Sequence, residues 1–254
     1  MNLQQNFLKN ERLSLAKRSF TMLEERTIQA DISGYMSTLL RKHFGKGPTS
    51  VYVTLKRPYI AIHFRGFLSP MEKILLDQNE WKRVLETRDL LLNALKPQIL
   101  AELLKITELE FTELYTDWNI SSQTGIFIGI MDEKVTAKNL KWSKETDRKA
   151  IHKKIEKVNE AVERKPGLIE SIWLSNRILL VKRVDILVGI EKALIAEGYE
   201  KVLKVVKRPL ERKLFGQAGL EEILQQQILD IFMDWDFDQD LGYIVFILAP
   251  NSRT

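Results

Sequence analysis

Asp234, Asp236, Asp238 and Asp240 alternate with Trp235, Phe237 and Gln239, and carboxylates spaced in this way suit a hard cation. A calcium loop counted from Asp234 or Asp236 would need a glycine at its sixth position and an acidic residue at its twelfth, and has neither. Strand alternation instead sends the aromatics inward and the carboxylates outward toward a hairpin turn. Gly45-Lys46-Gly47-Pro48-Thr49 has the glycines and lysine of a phosphate cradle. It follows a helical pattern and enters a strand, the reverse of a P-loop, so it reads as a helix stop. His43, His63 and His152 make no ligand spacing for zinc, and no Gly-x-Ser-x-Gly elbow occurs. The chain has no cysteine, which removes thiolate metal sites, Cys nucleophiles and disulfides. From its motifs no catalytic residue, metal or cofactor is expected.

Cationic side chains offer a different chemistry. Lys201, Lys204, Lys207 and Arg208 fall near one helical face, which Arg212-Lys213 extends, and Lys149, Lys153, Lys154 and Lys157 do the same in the helix before. Such a patch could hold nucleic acid or anionic lipid. The competing reading is a solvated face, favoured by the interleaved Glu156, Glu160, Glu200 and Glu211. Arg88 interrupts the apolar helical segment from Val84 to Leu95, where a guanidinium must reach solvent or meet a carboxylate or anion. Snorkelling to the surface is the default expectation for it. Arg65 follows Phe64 on the opposite face of a strand.

The elements that position these residues come in a repeated order. Ile28, Ile32, Tyr35, Leu39 and Leu40 line one helical face after the capping signature Thr21-x-x-Glu24, and Gly45, Gly47 and Pro48 end that helix. Val51, Val53 and Leu55 alternate, Arg57-Pro58 turns the chain, and Ile60, Ile62 and Phe64 return as a hairpin. Ser69-Pro70-Met71-Glu72 places an N-cap, a first-turn proline and an N3 glutamate at the start of a helix. The helical pattern runs to about Lys105, with a break expected near Gln78-Asn79 and a kink or restart at Pro97. A second strand pair closes the unit, from about Leu109 to Asn119 and from Thr124 to Met131.

That unit occurs twice. Thr116-Asp117-Trp118-Asn119-Ile120, then Gly125 and an apolar strand, recurs as Met233-Asp234-Trp235-Asp236-Phe237, then Gly242 and an apolar strand. The expected fold class is α+β: two tandem two-layer domains, each α-β-β-α(α)-β-β with a four-stranded, mainly antiparallel sheet. Residues 1–20 read as a polar leader or helical extension, 21–132 as the first domain, 133–146 as a basic linker and 147–254 as the second domain. In copy two a helix is expected over about 145–164, and helices before residue 229 with interruptions near Pro209 and Gly216. The copies could pack as an internal two-fold dimer or join edge strands into one sheet, and the sequence leaves both open.

Composition bounds the setting. The net charge of +5 is local, since residues 133–165 carry eleven Lys/Arg against six Asp/Glu, so it argues for a patch rather than a basic protein. No run approaches the about 20 apolar residues needed to span a bilayer, and residues 1–16 lack a signal-peptide core. The expectation is a cytoplasmic protein, at most peripheral at the inner face of the membrane.

Copy one, with Gly45-x-Gly-Pro48, a hairpin, Gly66-Phe67-Leu68-Ser69-Pro70-x-Glu72, Arg88 and the closing strands with Asp117, resembles the MpsC family over about residues 24–132. That family is named for a sodium-translocating membrane-potential-generating system. The resemblance implies association with membrane components that move ions and inorganic carbon, and it supplies no catalytic mechanism. Copy two resembles a diverged version, with Val184 at the place of Gly66, Leu187 at that of Ser69 and Val206 at that of Arg88. The expected function is that of a non-enzymatic accessory or regulatory protein of a membrane ion or bicarbonate transport system, with a membrane transport complex as partner and self-association left open. Two alternatives stand beside it: a basic module for nucleic acid or anionic lipid through Lys153, Lys157, Lys201, Lys204, Lys207 and Arg208, and a small-anion-binding enzyme. Arg65, Glu72 and Arg88 are the candidate anion or partner contacts.

Overall fold

The computed structural model describes residues 25–131, 142 and 146–250. The capping signature at 21–24, the leader over 1–20 and all of the stretch 133–146 except Trp142 and Thr146 lie outside the described residues. Copy one begins with α1, which covers residues 25–44 and buries Ile32, Met36, Leu39 and Leu40, one apolar stripe at helical spacing. The hairpin β1 (Ser50–Lys56) and β2 (Tyr59–Arg65) follows, then α2 (Pro70–Asp77), α3 (Trp81–Thr107), β3 (Phe111–Asn119) and β4 (Thr124–Met131). The strands form one antiparallel sheet in the order β1-β2-β4-β3. Of the kink or restart expected at Pro97 the restart is absent, since α3 runs without interruption through it. Leu92, Leu95, Ile99 and Leu103 bury one continuous stripe on both sides of the proline, and that packing outweighs its missing hydrogen bond.

Copy two repeats the order with α4 (Arg148–Val162), β5 (Leu168–Ser175), β6 (Ile178–Val184), α5 (Gly189–Ala196), α6 (Glu200–Gly216), the short α7 (Leu220–Leu224), β7 (Ile228–Asp236) and β8 (Leu241–Leu248). Its sheet order, β5-β6-β8-β7, matches that of copy one strand for strand. The expected interruption at Pro209 is absent as well, since α6 passes through it and ends at Gly216.

Superimposing the copies corrects the residue pairing read from sequence. The β5–β6 hairpin carries an irregularity between Trp173 and Ser175 that β1–β2 lacks, and this displaces the pairing by one residue from β6 through α6. Gly66 therefore corresponds to Asp185, both in the left-handed region at φ 63° and 57°. Ser69 corresponds to Val188, the N-cap of α5, and Arg88 corresponds to Lys207 rather than Val206.

The sheets have two buried faces each. Helices cover one face in both copies, giving separate cores around Phe64, Trp118 and Phe127 and around Trp235, Ile244 and Phe246. Opposite faces meet each other through Ala61, Tyr115, Ile126 and Ile128 against Leu180, Phe232, Tyr243 and Val245. The molecule is thus layered helices, sheet, sheet, helices, an internal dimer in which the sheets pack face to face. β4 and β8 are buried at every residue, as expected for strands covered on both sides. Gly125 and Gly242 recur because each lies against a tryptophan. A Cβ on Gly125 would sit 2.1 Å from Trp118, and one on Gly242 would sit 2.9 Å from Trp235.

Candidate functional site

Arg88 is where sequence and structure part most clearly. It is 0% exposed and does not snorkel. Its Nε donates to Glu72 Oε1 at 2.6 Å and its Nη2 to Glu72 Oε2 at 2.9 Å, a bidentate pair, while Nη2 also donates to the Phe67 carbonyl at 3.1 Å. The guanidinium lies 4.5 Å from the ring centroid of Trp118 and 4.8 Å from that of Phe67. Glu72 is held in turn by its cap: Oε2 accepts Ser69 N at 2.7 Å, and the Glu72 amide donates to Ser69 Oγ at 3.3 Å. Burial by itself would raise the Glu72 carboxyl, but the Arg88 bonds and charge, with those of Ser69, bring it below its ordinary value. The pair locks the start of α2 to α3. The two charges pair with each other through Nε and Nη2, while Arg88 Nη1 has no hydrogen-bond partner among the described residues.

Copy two builds a larger version at the same place. Lys207 Nζ pairs with Glu191 Oε1 at 2.6 Å, as Arg88 does with Glu72, and it also contacts Glu163 Oε1. Arg183, 0% exposed, stands at the position of Phe64 and brings a second cation. It pairs with Glu163 Oε2 at 3.1 Å and Glu211 Oε2 at 2.9 Å, and donates to Asn159 Oδ1 at 3.1 Å. Glu163, Glu191 and Glu211 thus share two cations. Burial and the Glu211 charge push the Glu163 carboxyl up to about 7, against the pull of Arg183 and Lys207. Sequence reasoning missed this cluster. Its signal was Arg183 on the strand face that in copy one carries Phe64.

A third group of charges closes the seam between the copies, where β3 lies against β7. Asp117 Oδ1 forms an ion pair with Arg208 Nε at 2.9 Å, and Oδ2 accepts Arg212 Nη2 at 2.6 Å and Met233 N at 2.8 Å. Asp234 accepts Lys204 Nζ on Oδ1 at 2.7 Å and Thr116 N on Oδ2 at 3.0 Å. Burial raises the Asp117 carboxyl, with Arg212 and Arg208 opposing. For Asp234 burial also acts upward, but Lys204 and Arg208 overcome it and the carboxyl lies below its usual value. The expectation that the carboxylates from Asp234 to Asp240 point outward is corrected at Asp234, which, like its equivalent Asp117, faces the other copy, while Asp238 at the turn is exposed.

The proposed basic patch divides accordingly. Lys153, Lys157 and Lys201 are exposed, Lys204 is spent on Asp234, and Lys207 and Arg208 are buried in ion pairs. Arg65 joins neither Glu72 nor Arg88; it is exposed at the rim of a separate cleft. Among the described residues no cluster of three or more His, Cys, Asp or Glu side chains is arranged to hold a metal, and no helix is long and apolar enough to cross a membrane.

Comparison with curated proteins and with solved structures returned no match. The family model described as "Na+-translocating membrane potential-generating system (MpsC)" matches residues 24–133 and again residues 143–250. With most of the chain covered by two successive matches, and two sheets of one topology beneath them, the protein belongs to the MpsC family and carries its domain in tandem.

Proposed function

We propose that this chain is a non-enzymatic accessory component of a membrane system that moves sodium or bicarbonate, and that it docks onto the membrane-embedded part of that system. The family description supplies the setting. The observation that carries the reading is an apolar stripe on the outer helices of copy two. Val202, Val206 and Leu210 recur at i, i+4 and i+8 on α6, all exposed, and α5, which packs on α6, exposes Ile190 and Leu194. Val206 is 58% exposed and Ile190 69%, whereas surface helices ordinarily turn charged residues outward. The buried acids and bases support the same reading. Each holds elements together, which leaves the outer surface to carry the function.

A photo-reactive residue introduced at Val206 tests the proposal in intact cells, with the same group at Leu168 as control. The expected product at Val206 is a cross-link to a multi-spanning sodium or bicarbonate transporter. A Val206→Asp variant that stays folded, sediments with native membranes like the parent and leaves sodium-dependent membrane potential unchanged would overturn it.

A further inference from the structure

A cleft of about 730 Å³ opens between α1 with the β1–β2 hairpin of copy one and the β5–β6 turn of copy two. Volumes of this order hold a small organic ligand. Three guanidinium groups line it, Arg26, Arg65 and Arg177, and one carboxylate, Asp230. Asp230 is already committed. Its Oδ1 accepts Asn119 Nδ2 at 2.8 Å and Ile231 N at 3.0 Å, and its Oδ2 accepts the hydroxyls of Ser122, at 2.9 Å, and Thr124. Arg177 Nε donates to the Leu248 carbonyl at 3.0 Å, and among the described residues none of the three arginines forms an ion pair with a carboxylate. The cleft therefore presents positive charge that its own acid does not neutralise.

His63 gives the cleft a second, independent feature. It is 8% exposed, lines the cavity, and its Nε2 has no hydrogen-bond partner among the described residues. A buried polar nitrogen left this way carries a free-energy cost that a ligand atom would relieve. Its ring stacks on Tyr52, with centroids 6.1 Å apart and planes inclined by 28°, and Tyr52 is half exposed to the cleft. Burial, reinforced by Arg65 and Arg177 and opposed by Asp230, keeps the imidazole neutral at pH 7, so Nε2 is available for hydrogen bonding without charge.

We propose that this cleft binds an organic anion with an aromatic body, the anionic group held by Arg65 and Arg177 and the ring laid against Tyr52 and His63. Guanidinium forks match carboxylate and phosphate oxygens, and the aromatic pair offers a flat apolar surface beside them. The site draws residues from both copies. It is independent of the α5–α6 stripe, and Val206→Asp should leave it intact.

The test uses the full chain with 1-naphthyl phosphate as probe, followed by titration calorimetry, with 1-naphthol and inorganic phosphate as its separated halves. Saturable one-to-one binding of 1-naphthyl phosphate is expected, with each half weaker by roughly ten-fold or more. Arg65→Ala and Arg177→Ala should each weaken the probe by roughly ten-fold and flatten its salt dependence, and Tyr52→Ala should weaken it without changing that dependence. Arg65 and Tyr52 are exposed, so Arg65→Ala and Tyr52→Ala should unfold at the parent's denaturant midpoint, whereas Arg177→Ala also loses the bond from Nε to the Leu248 carbonyl and should unfold at a slightly lower one. Absence of saturable binding, equal binding of inorganic phosphate, or affinity unmoved by both arginine substitutions would each overturn the assignment.

Discussion

Asp117 and Asp234 each cap a backbone amide of the other copy: Asp117 Oδ2 accepts Met233 N at 2.8 Å, and Asp234 Oδ2 accepts Thr116 N at 3.0 Å. Met233 and Thr116 are themselves equivalent residues, so the two bonds exchange under the internal two-fold relation. The exchange lies where β3 meets β7, the edge strands of their sheets. Edge amides left open are templates for pairing with other chains, and here each copy closes an edge of the other. The symmetry ends at the cations. Asp117 has Arg208 and Arg212, while Asp234 has Lys204 as its direct partner.

That difference ranks the two carboxylates. Asp117→Ala should destabilise the protein by about 3–5 kcal/mol, because it leaves Arg208, which is 2% exposed, without its main partner. Asp234→Ala should cost less, since the more exposed Lys204 can turn to water. Urea denaturation monitored by tryptophan fluorescence measures both. Equal midpoints for the two variants would contradict the ranking.

Arg88→Ala should likewise cost about 3–5 kcal/mol by leaving Glu72 buried and unpaired. Arg88→Lys should recover part of that loss, because Lys207 shows that an ammonium can serve the equivalent glutamate in copy two. Recovery should be incomplete, since lysine cannot make the bidentate contact or cover Trp118 in the same way. The double variant Glu72→Gln with Arg88→Met, compared with either single change, gives the coupling energy directly.

Local signals in the chain were legible and distant partners were not. Ser69-Pro70-Met71-Glu72 announced its helix start, since every contact of a capping box lies within one turn. The partner of Arg88 was not readable, because Glu72 belongs to another helix and only packing brings them together. Gly125 to Met131 did hold a sign of the second buried face: an apolar strand without polar alternation is covered on both sides, and this signals sheet-on-sheet packing. Lys207 was misplaced as a surface charge although it shares an inward face with Leu203 and Glu211 at helical spacing. Pairing Arg88 with Val206 concealed that, because the β5–β6 irregularity shifts the register and leaves no mark in composition.

His63 should give the protein an acid-sensitive limb. Its folded-state value is lowered to about 4 from an ordinary 6.5. Below the ordinary value the unfolded chain takes up a proton that the folded imidazole refuses, so stability is lost as pH falls from about 6.5 toward 4. At about 1.4 kcal/mol per pH unit, the loss is at most about 3.5 kcal/mol. His63→Gln removes the titration, and its unfolding free energy should fall less steeply than the parent's over that window. Parallel curves for parent and variant would show that His63 does not contribute.

Glu163 acts in the opposite direction, and the two residues can be separated for that reason. Its carboxyl is pushed up to about 7 from 4.5, so between those values the folded protein holds a proton that the unfolded chain has released. Stability from this group is full below about 4.5 and declines as pH rises toward 7. Glu163→Gln fixes the side chain in its neutral form. It keeps one acceptor for Arg183 or Lys207, and Glu211 and Glu191 still face those cations. The difference in unfolding free energy between variant and parent should therefore move in the variant's favour as pH rises from about 5 to 7.5. A difference that stays constant across that range would mean that Glu163 is already ionised in the folded cluster and that the three carboxylates share two cations without a bound proton.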